Sequence, residues 1–472
     1  VENTMHYDSI GRPAHQRVRH NGRTLYDKSY TWGDNLRLLR TFDTINGRSV
    51  RYDYDAFGSL SGAVYGDGSC QWRNPDAMGN VYDSPDRTDR SYGRGGQLRE
   101  DRKWQYYYDS HGNLVLKTMR SSGPSLDAGM RDEFLAWQSG DYAYTWQGNG
   151  MLRSVTRPDG KTVTFRYDAL GRRIEKVFDG RVYRYLWDGD VILHEWDYAE
   201  ADRPNTIVTE TGEVTLDRPE PVENLITWVY DSDSYVPTAK IVGDRHYSIV
   251  SDYIGRPVQA YDDKGNVVWQ ADYDIYGNLR NLHGSRRFIP FRQLGQYEDE
   301  ETGQYYNRFR YYDPNTGTYI SQDPISILGG VNTYAYVFDC NIGIDIMGLT
   351  VTVAQVDTYG ELLKNSTVGD DLEFHHIPQD KLGFLPRKEG IAVVMPKSEH
   401  AMTRTYKTKG RITASLDKNR AFKDILKDDL VDLRKISPKY DDAIIKIIKG
   451  YEDLDMIGKG ELTLSKIIES CK

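Results

Sequence analysis

One short pattern governs what this chain can fold into. Tyr-Asp, two or three residues, then Gly recurs as YDSIGRP at Tyr7, YDAFGSL at Tyr54, YDSHGNL at Tyr108, YDALGRR at Tyr167 and YDIYGNL at Tyr273. Weaker copies are YTWGDNL at Tyr30, YTWQGNGML at Tyr144, YLWDGD at Tyr185, SDYIGRP at Ser251 and YDDKGN at Tyr261. The physics is local: a strand ends in an aromatic, the Asp side chain caps a tight turn, and Gly supplies the positive φ. Alternating segments such as RRIEKVF and NVVWQADY then restart a strand. Such a hairpin cannot bury its own face, so many must wind together. The 36 tyrosines and 43 glycines fit many short strands and few helices.

The ten copies resemble the repeats of Rhs and YD-repeat proteins over roughly residues 1–349. That resemblance implies a mostly β fold, a YD-repeat shell or cocoon that encloses a C-terminal toxin. The prolines and acids of Glu200 to Asn224 (EADRPNTIVTETGEVTLDRPEPVEN) break the repeat and predict a surface insertion or loop.

GQYEDEETGQYYNRFRYYDPNTGTYISQDPISILGGVNTYAYV resembles the closing segment of the Rhs core, placing a shell at 1–306, a closing segment with the junction at 307–349 and a toxin domain at 350–472. The family resemblance implies a self-cleaving aspartyl-type centre of Arg310, Asp323 and Asp345, cutting between Leu349 and Thr350. Two carboxylates held together share a proton, so one can activate water while the other donates. A bond fixed beside them has a very high effective concentration. The chain departs from the family at Ile346, where a proline follows the second acid, and at Ser326, where glycine is usual.

The tail's three histidines all lie in DLEFHHIPQDKLGFLPRKEGIAVVMPKSEHAMTRTYKTKG: His375, His376 and His400. EFHHI predicts a strand end, GIAVVM a second strand, and SEHAMTRTYKTKG a helix opened near Pro396 and stopped at Gly410. This order resembles the ββα-metal fold of HNH endonucleases in their His-His toxin variants, so the expectation is a small α+β domain with extra helices. The resemblance implies His376 as general base, with His375 and His400 as ligands of a divalent ion, Mg2+ foremost and Zn2+, Ni2+ or Mn2+ as alternatives. One helical turn beyond His400 stand Thr403, expected as a third ligand, and Arg404, expected to clamp the scissile phosphate. FKDILKDDLVDLRKI and DDAIIKIIKGYEDLDMI carry apolar residues at helical spacing.

The implied function is an antibacterial effector made in the bacterial cytoplasm, secreted and delivered into a target cell, where a metal-dependent nuclease acts on DNA. Implied partners are a cognate immunity protein, spike or adaptor proteins of a type VI secretion apparatus or a chaperone, and the cleaved tail itself. Two rivals remain: an RNase or other toxic enzyme in the same shell, and a non-catalytic adhesion protein. Three dispersed cysteines give neither a disulfide framework nor zinc spacing. No apolar run is long enough to span a membrane. The net charge of -9 does not exclude nucleic acid, because the tail is nearly balanced and the excess acid lies upstream. The start inside a repeat at Val1, without a leader, suggests a fragment of a longer protein.

Overall fold

The computed structural model describes residues 1–33, 37–119, 136–231, 234–326, 332–349, 356–364, 372–437 and 440–471. It divides into two compact units, the first Val1–Ser326 with Val331–Gly348, the second including Leu349–Lys472. No helix among the described residues is long and apolar enough to cross a membrane.

The first unit is β. A seven-stranded antiparallel sheet runs in sequence order from Glu2–Tyr7 to Cys70–Trp72. A sixteen-stranded sheet follows, from Ser91–Tyr92 to Leu279–His283. The repeat explains the ladder. In each YD turn the Asp Oδ1 accepts the N–H groups two and four residues on, as at Asp8, Asp55, Asp109, Asp168, Asp252, Asp262 and Asp274. The glycine of each turn has positive φ, 73° at Gly171 and 91° at Gly58. The turn at Asp76 (PDAMGN) makes the same bonds with Pro75 in the aromatic position.

The aromatic just before a turn ties one repeat to an earlier one. Trp32, Trp146 and Trp187 donate their indole N–H to the carbonyls of Pro13, Leu114 and Arg173. Tyr167 and Tyr273 donate their hydroxyls to Leu152 and Pro257. All five acceptors stand two residues past a turn glycine, so the polar tip of each of these half-buried rings meets a carbonyl.

Glu200 to Asn224 is more than a loop. It contains an exposed hairpin, Thr206–Val208 with Val214–Leu216, while the flanking strands Val191–Ala199 and Glu223–Tyr230 pair directly.

A four-stranded sheet closes the unit: Tyr297–Asp299, Gln304–Asn307, Arg310–Asp313 and Thr318–Tyr319. Tyr305, Tyr306, Tyr311, Tyr312 and Tyr319 on it are fully buried. Buried charges tie it to the long sheet: Lys117 to Asp313 at 3.1 Å, and Arg173 and Lys176 to Asp299 at 2.5 and 3.2 Å.

The second unit is α+β. Its sheet has the order Val356–Thr358, Ile391–Pro396, Leu372–His376, all antiparallel. The helices are α1 (Tyr359–Lys364), α2 (Lys397–His400), α3 (Lys407–Asp417), α4 (Phe422–Ile436), α5 (Asp441–Asp453) and α6 (Leu464–Ser470). One sheet face carries Val393 and Met395 into a core with Leu426, Leu430, Ile444 and Ile447. The other turns Ala392 and Val394 toward Leu362 of α1.

The expected single helix through Gly410 is not what forms. α2 stops at His400, residues 401–406 turn, and Gly410 lies inside α3. Two forces break it: the Thr403 hydroxyl donates to the His400 carbonyl at 2.8 Å, and Arg404 is drawn toward carboxylates of α3 and α4.

Candidate functional sites

The first site sits at the end of the closing sheet. A two-residue turn, Arg308–Phe309, sets Asn307 directly opposite Arg310. Arg310 is 1% exposed. Its Nη2 lies 3.0 Å from Asp323 Oδ2 and 3.2 Å from Asp345 Oδ2, so one guanidinium nitrogen bridges the two acids. Both carboxylates are buried. Arg310 Nη1 donates to Thr333 O at 3.2 Å, and Nε donates to Gly348 O at 2.5 Å. The structure thus brings together Arg310, Asp323 and Asp345, and holds the carbonyl just ahead of Leu349.

The approach to that carbonyl is tightly fitted. Phe309 N–H donates to Met347 O at 3.3 Å. Gly348 has φ +63°, and a Cβ there would stand 2.3 Å from Asn307 O. Gly295 performs the same service for Ile346, whose carbonyl oxygen would lie 2.5 Å from an added Cβ. With Ile346 in the expected proline position, both acids still reach Arg310. Leu349 is half-buried, while Thr350 lies outside the described residues.

Sequence reasoning missed two members of this network. Tyr319 Oη donates to Asp345 Oδ2 at 2.7 Å, and Asn307 Nδ2 donates to Tyr319 Oη at 2.6 Å. No local signal separates one tyrosine among 36. Thr333 underlies the site as well: its carbonyl accepts from Asp323 N–H at 2.9 Å, and its own N–H goes to Gly95 O at 3.2 Å.

The second site lies on the Leu372–His376 strand and α2. Successive strand residues point to opposite faces, and this splits the expected trio. His375 lies on the face of Glu373, with its ring centroid 4.9 Å from that of His400. His400 Nδ1 is 2.6 Å from Glu373 Oε2, and Tyr406 meets the His400 ring edge-on. His376 lies on the other face, stacked on Tyr359 at 4.2 Å, with Nε2 2.9 Å from Arg387 O. His376 is therefore not beside the other two histidines.

Burial depresses both strand histidines, His375 to about 3 and His376 by a lesser amount. For His375 the neighbouring charges of His400 and His376 add to it. His375 thus stays neutral at any ordinary pH, the form in which imidazole binds metals.

The two residues beyond His400 have other employment. The Thr403 hydroxyl proton is turned into the backbone, and the residue is 1% exposed. Arg404 Nη2 meets Asp417 at 2.7 Å, Nη1 meets Asp429, and its main-chain N–H meets Asp432 at 2.7 Å. A guanidinium already forked between two buried carboxylates is an internal staple rather than a phosphate clamp. Burial raises Asp429 to about 7 even so.

Among the described residues no three His, Cys, Asp or Glu side chains converge as a metal set. The side chains nearest to a pair of donors that could hold a divalent ion are His375 and His400. Glu373 on Nδ1 leaves the His400 Nε2 open and fixes the ring, as an outer carboxylate does for a ligating histidine.

Residues 1–335 match the Teneurin YD-shell family. That match stops short of Asp345 and of Leu349–Lys472. "Double-stranded DNA deaminase toxin A" of Burkholderia cenocepacia is 31% identical over 354 residues, 70% of this chain and 22% of that protein. "Probable deoxyribonuclease RhsB" of Dickeya dadantii is 32% identical over 262 residues, 54% of this chain and 16% of its own length. "Toxin protein Tse5" of Pseudomonas aeruginosa is 31% identical over 398 residues, 74% of this chain and 29% of its own. The chain thus spans well under a third of each of these relatives.

Proposed function

The chain belongs to the Teneurin YD-shell family, and from that footing we propose that it is part of an Rhs-type toxin that cuts itself after Leu349 and carries a nuclease beyond the cut. The observation that carries the self-cleavage reading is Arg310 bridging two buried carboxylates while holding the Gly348 carbonyl. Water adds to the Leu349 carbonyl carbon as one acid takes its proton. The other acid delivers a proton to the Thr350 nitrogen as the C–N bond breaks, so the pair ends with the charge it began with. Arg310 keeps two nearby carboxylates compatible. The test is a denaturing gel of the full chain: a fragment ending at Leu349 is expected, lost in Asp323→Asn and Asp345→Asn. A single band from the unmutated chain overturns the reading.

The nuclease reading rests on the His375–His400–Glu373 group and is supported by the relative named as a probable deoxyribonuclease. His375 and His400 would hold a divalent ion there, and Glu373 would orient His400. Two imidazole donors suit Zn2+ or Ni2+ better than Mg2+. Bound there, such an ion supplies an acidified water and neutralises charge on the scissile phosphate. His376, assigned from sequence as the general base, stands across the sheet and is reassigned to anchoring the Arg387 loop. Thr403 and Arg404 are reassigned to holding the turn after α2. DNA is the proposed substrate. Delivery into a target cell through spike or adaptor proteins, and an immunity protein in the producer, follow from the toxin reading.

A second reading is favoured by one observation, the lack of a third ligand among the described residues. Glu373 and His400 then form a carboxylate–imidazole base that cleaves RNA through its 2′-hydroxyl without metal. Incubating the full chain with plasmid and with total RNA, plus Zn2+, Ni2+, Mn2+ or Mg2+ and plus chelator, separates the two, with His400→Ala as control. Intact plasmid and RNA under every condition sinks both.

A further inference from the structure

Two side chains beside the Arg310 centre are placed with more care than packing requires. Asn307 Nδ2 donates both to Tyr319 Oη at 2.6 Å and to Asp345 O at 2.8 Å. The Asp345 carbonyl can only accept, and that contact fixes the amide orientation. Its Oδ1 is buried with no partner among the described residues, as if the amide were set for its donors alone. The Tyr319 oxygen receives the Asn307 proton, so its own proton turns to Asp345 Oδ2 at 2.7 Å. The Arg310 guanidinium lies on the Tyr319 ring at 3.6 Å, so one phenol braces both members of the ion pair. Burial and the Asp345 charge push the Tyr319 hydroxyl far above its ordinary range, so it stays a donor.

We propose that Tyr319, locked by Asn307, is a positioning residue of the self-cleavage centre, holding the Asp345 carboxylate against Arg310. The inference rests on the self-cleavage reading above. A hydrogen bond donated to a carboxylate favours its charged form and fixes its rotamer. Tyr319→Phe keeps the ring under Arg310 and removes only the hydroxyl. Asn307→Leu keeps the hydroxyl and removes what orients it.

The full chain, pulse-labelled in cell-free translation, is chased in buffers from acid to mildly alkaline pH and resolved on denaturing gels. A protease-resistant first unit reports folding. Tyr319→Phe is expected to cut about ten-fold or more slowly near neutrality, the size of a lost hydrogen bond to a charged group. Its rate is also expected to fall away at a higher pH on the acid side, because a carboxylate that loses a donor protonates more readily. Asn307→Leu shifts the profile in the same direction, and is read in place of Tyr319→Phe if that chain fails the folding check. A wild-type rate in the variant overturns the inference, as does slower cutting with an unmoved pH profile, which is the mark of packing alone. Failure of the underlying reading looks different: the unmutated chain then gives a single band, or Asp323→Asn and Asp345→Asn cut like wild type.

Discussion

Replacing Gly348 by alanine tests the geometry of the junction without touching a charged group. The added Cβ would stand 2.3 Å from Asn307 O and 3.2 Å from Arg310 N. Both are main-chain atoms, so no rotamer change relieves the overlap. Ordinary contact begins near 3.4 Å, so the chain at residue 348 must retreat by about 1 Å. The left-handed φ of +63° adds about 1 kcal/mol for a residue with a side chain. A displacement of that size next to a reacting bond costs about a hundred-fold in rate, and here it also draws the Gly348 carbonyl off Arg310 Nε. The assay is the time course of appearance of the fragment ending at Leu349 on a denaturing gel. Gly11→Ala is the control: it has φ +87° and nothing within 4 Å of an added Cβ, so it carries the conformational cost without the clash. The expected result is cutting slowed about a hundred-fold in Gly348→Ala and unchanged in Gly11→Ala. Equal rates in Gly348→Ala and wild type refute the placement of the scissile chain against Asn307 and Arg310.

Three further outcomes are expected. His375 stays neutral down to about 3 in the folded chain, against an ordinary 6.5 when unfolded, so between those values the unfolded chain binds the extra proton. Stability of the second unit therefore falls as pH drops from 6.5 toward 3, by up to about 1.4 kcal/mol per pH unit from this group; His375→Phe should flatten that slope in urea unfolding, and an unchanged slope contradicts the burial argument. Arg404→Met leaves Asp417 and Asp429 buried beside an apolar chain and should cost about 3 kcal/mol in unfolding free energy, whereas a phosphate clamp would lower activity and leave the melting curve in place. Glu373→Gln should lower nucleic-acid cleavage about ten-fold by loosening His400; full activity would remove Glu373 from the site.

The repeats were readable because each turn is closed by its own Asp and Gly within five residues, and nothing distant decides it. The turn at Asp76 escaped because Pro75 takes the place of the aromatic that flags the others. α4 spans the same residues as its apolar periodicity, Phe422 to Ile436, since the stripe of Ile425, Leu426, Leu430 and Leu433 enters the core. The helix through Gly410 failed for a non-local reason. What ends α2 includes Arg404 reaching Asp417 and Asp429, and those partners declare themselves only once α3 and α4 are folded. The histidine pair was legible as a pair, while the face each member takes follows from strand period: His375 turns toward His400 and His376 toward Tyr359. At the junction the three charged residues were legible by family likeness, while Tyr319 and Asn307 were not. Their role depends on the Arg308–Phe309 turn bringing residue 307 back over 310.

The Thr333 tether sets a schedule. Arg310 and Asp323 both lean on the Thr333 carbonyl, and Thr333 leans on Gly95. Its neighbours do likewise, Asn332 on Asn80 and Tyr334 on Gly112. The floor of the Arg310 centre is thus laid by Asn80, Gly95 and Gly112 between early strands, which leave the ribosome long before the acids do. A chain with a misfolded early portion has no floor on which Arg310 and Asp323 can meet. Under the proposed self-cleavage, scission serves as a completion check: a chain whose early portion misfolds keeps its tail attached.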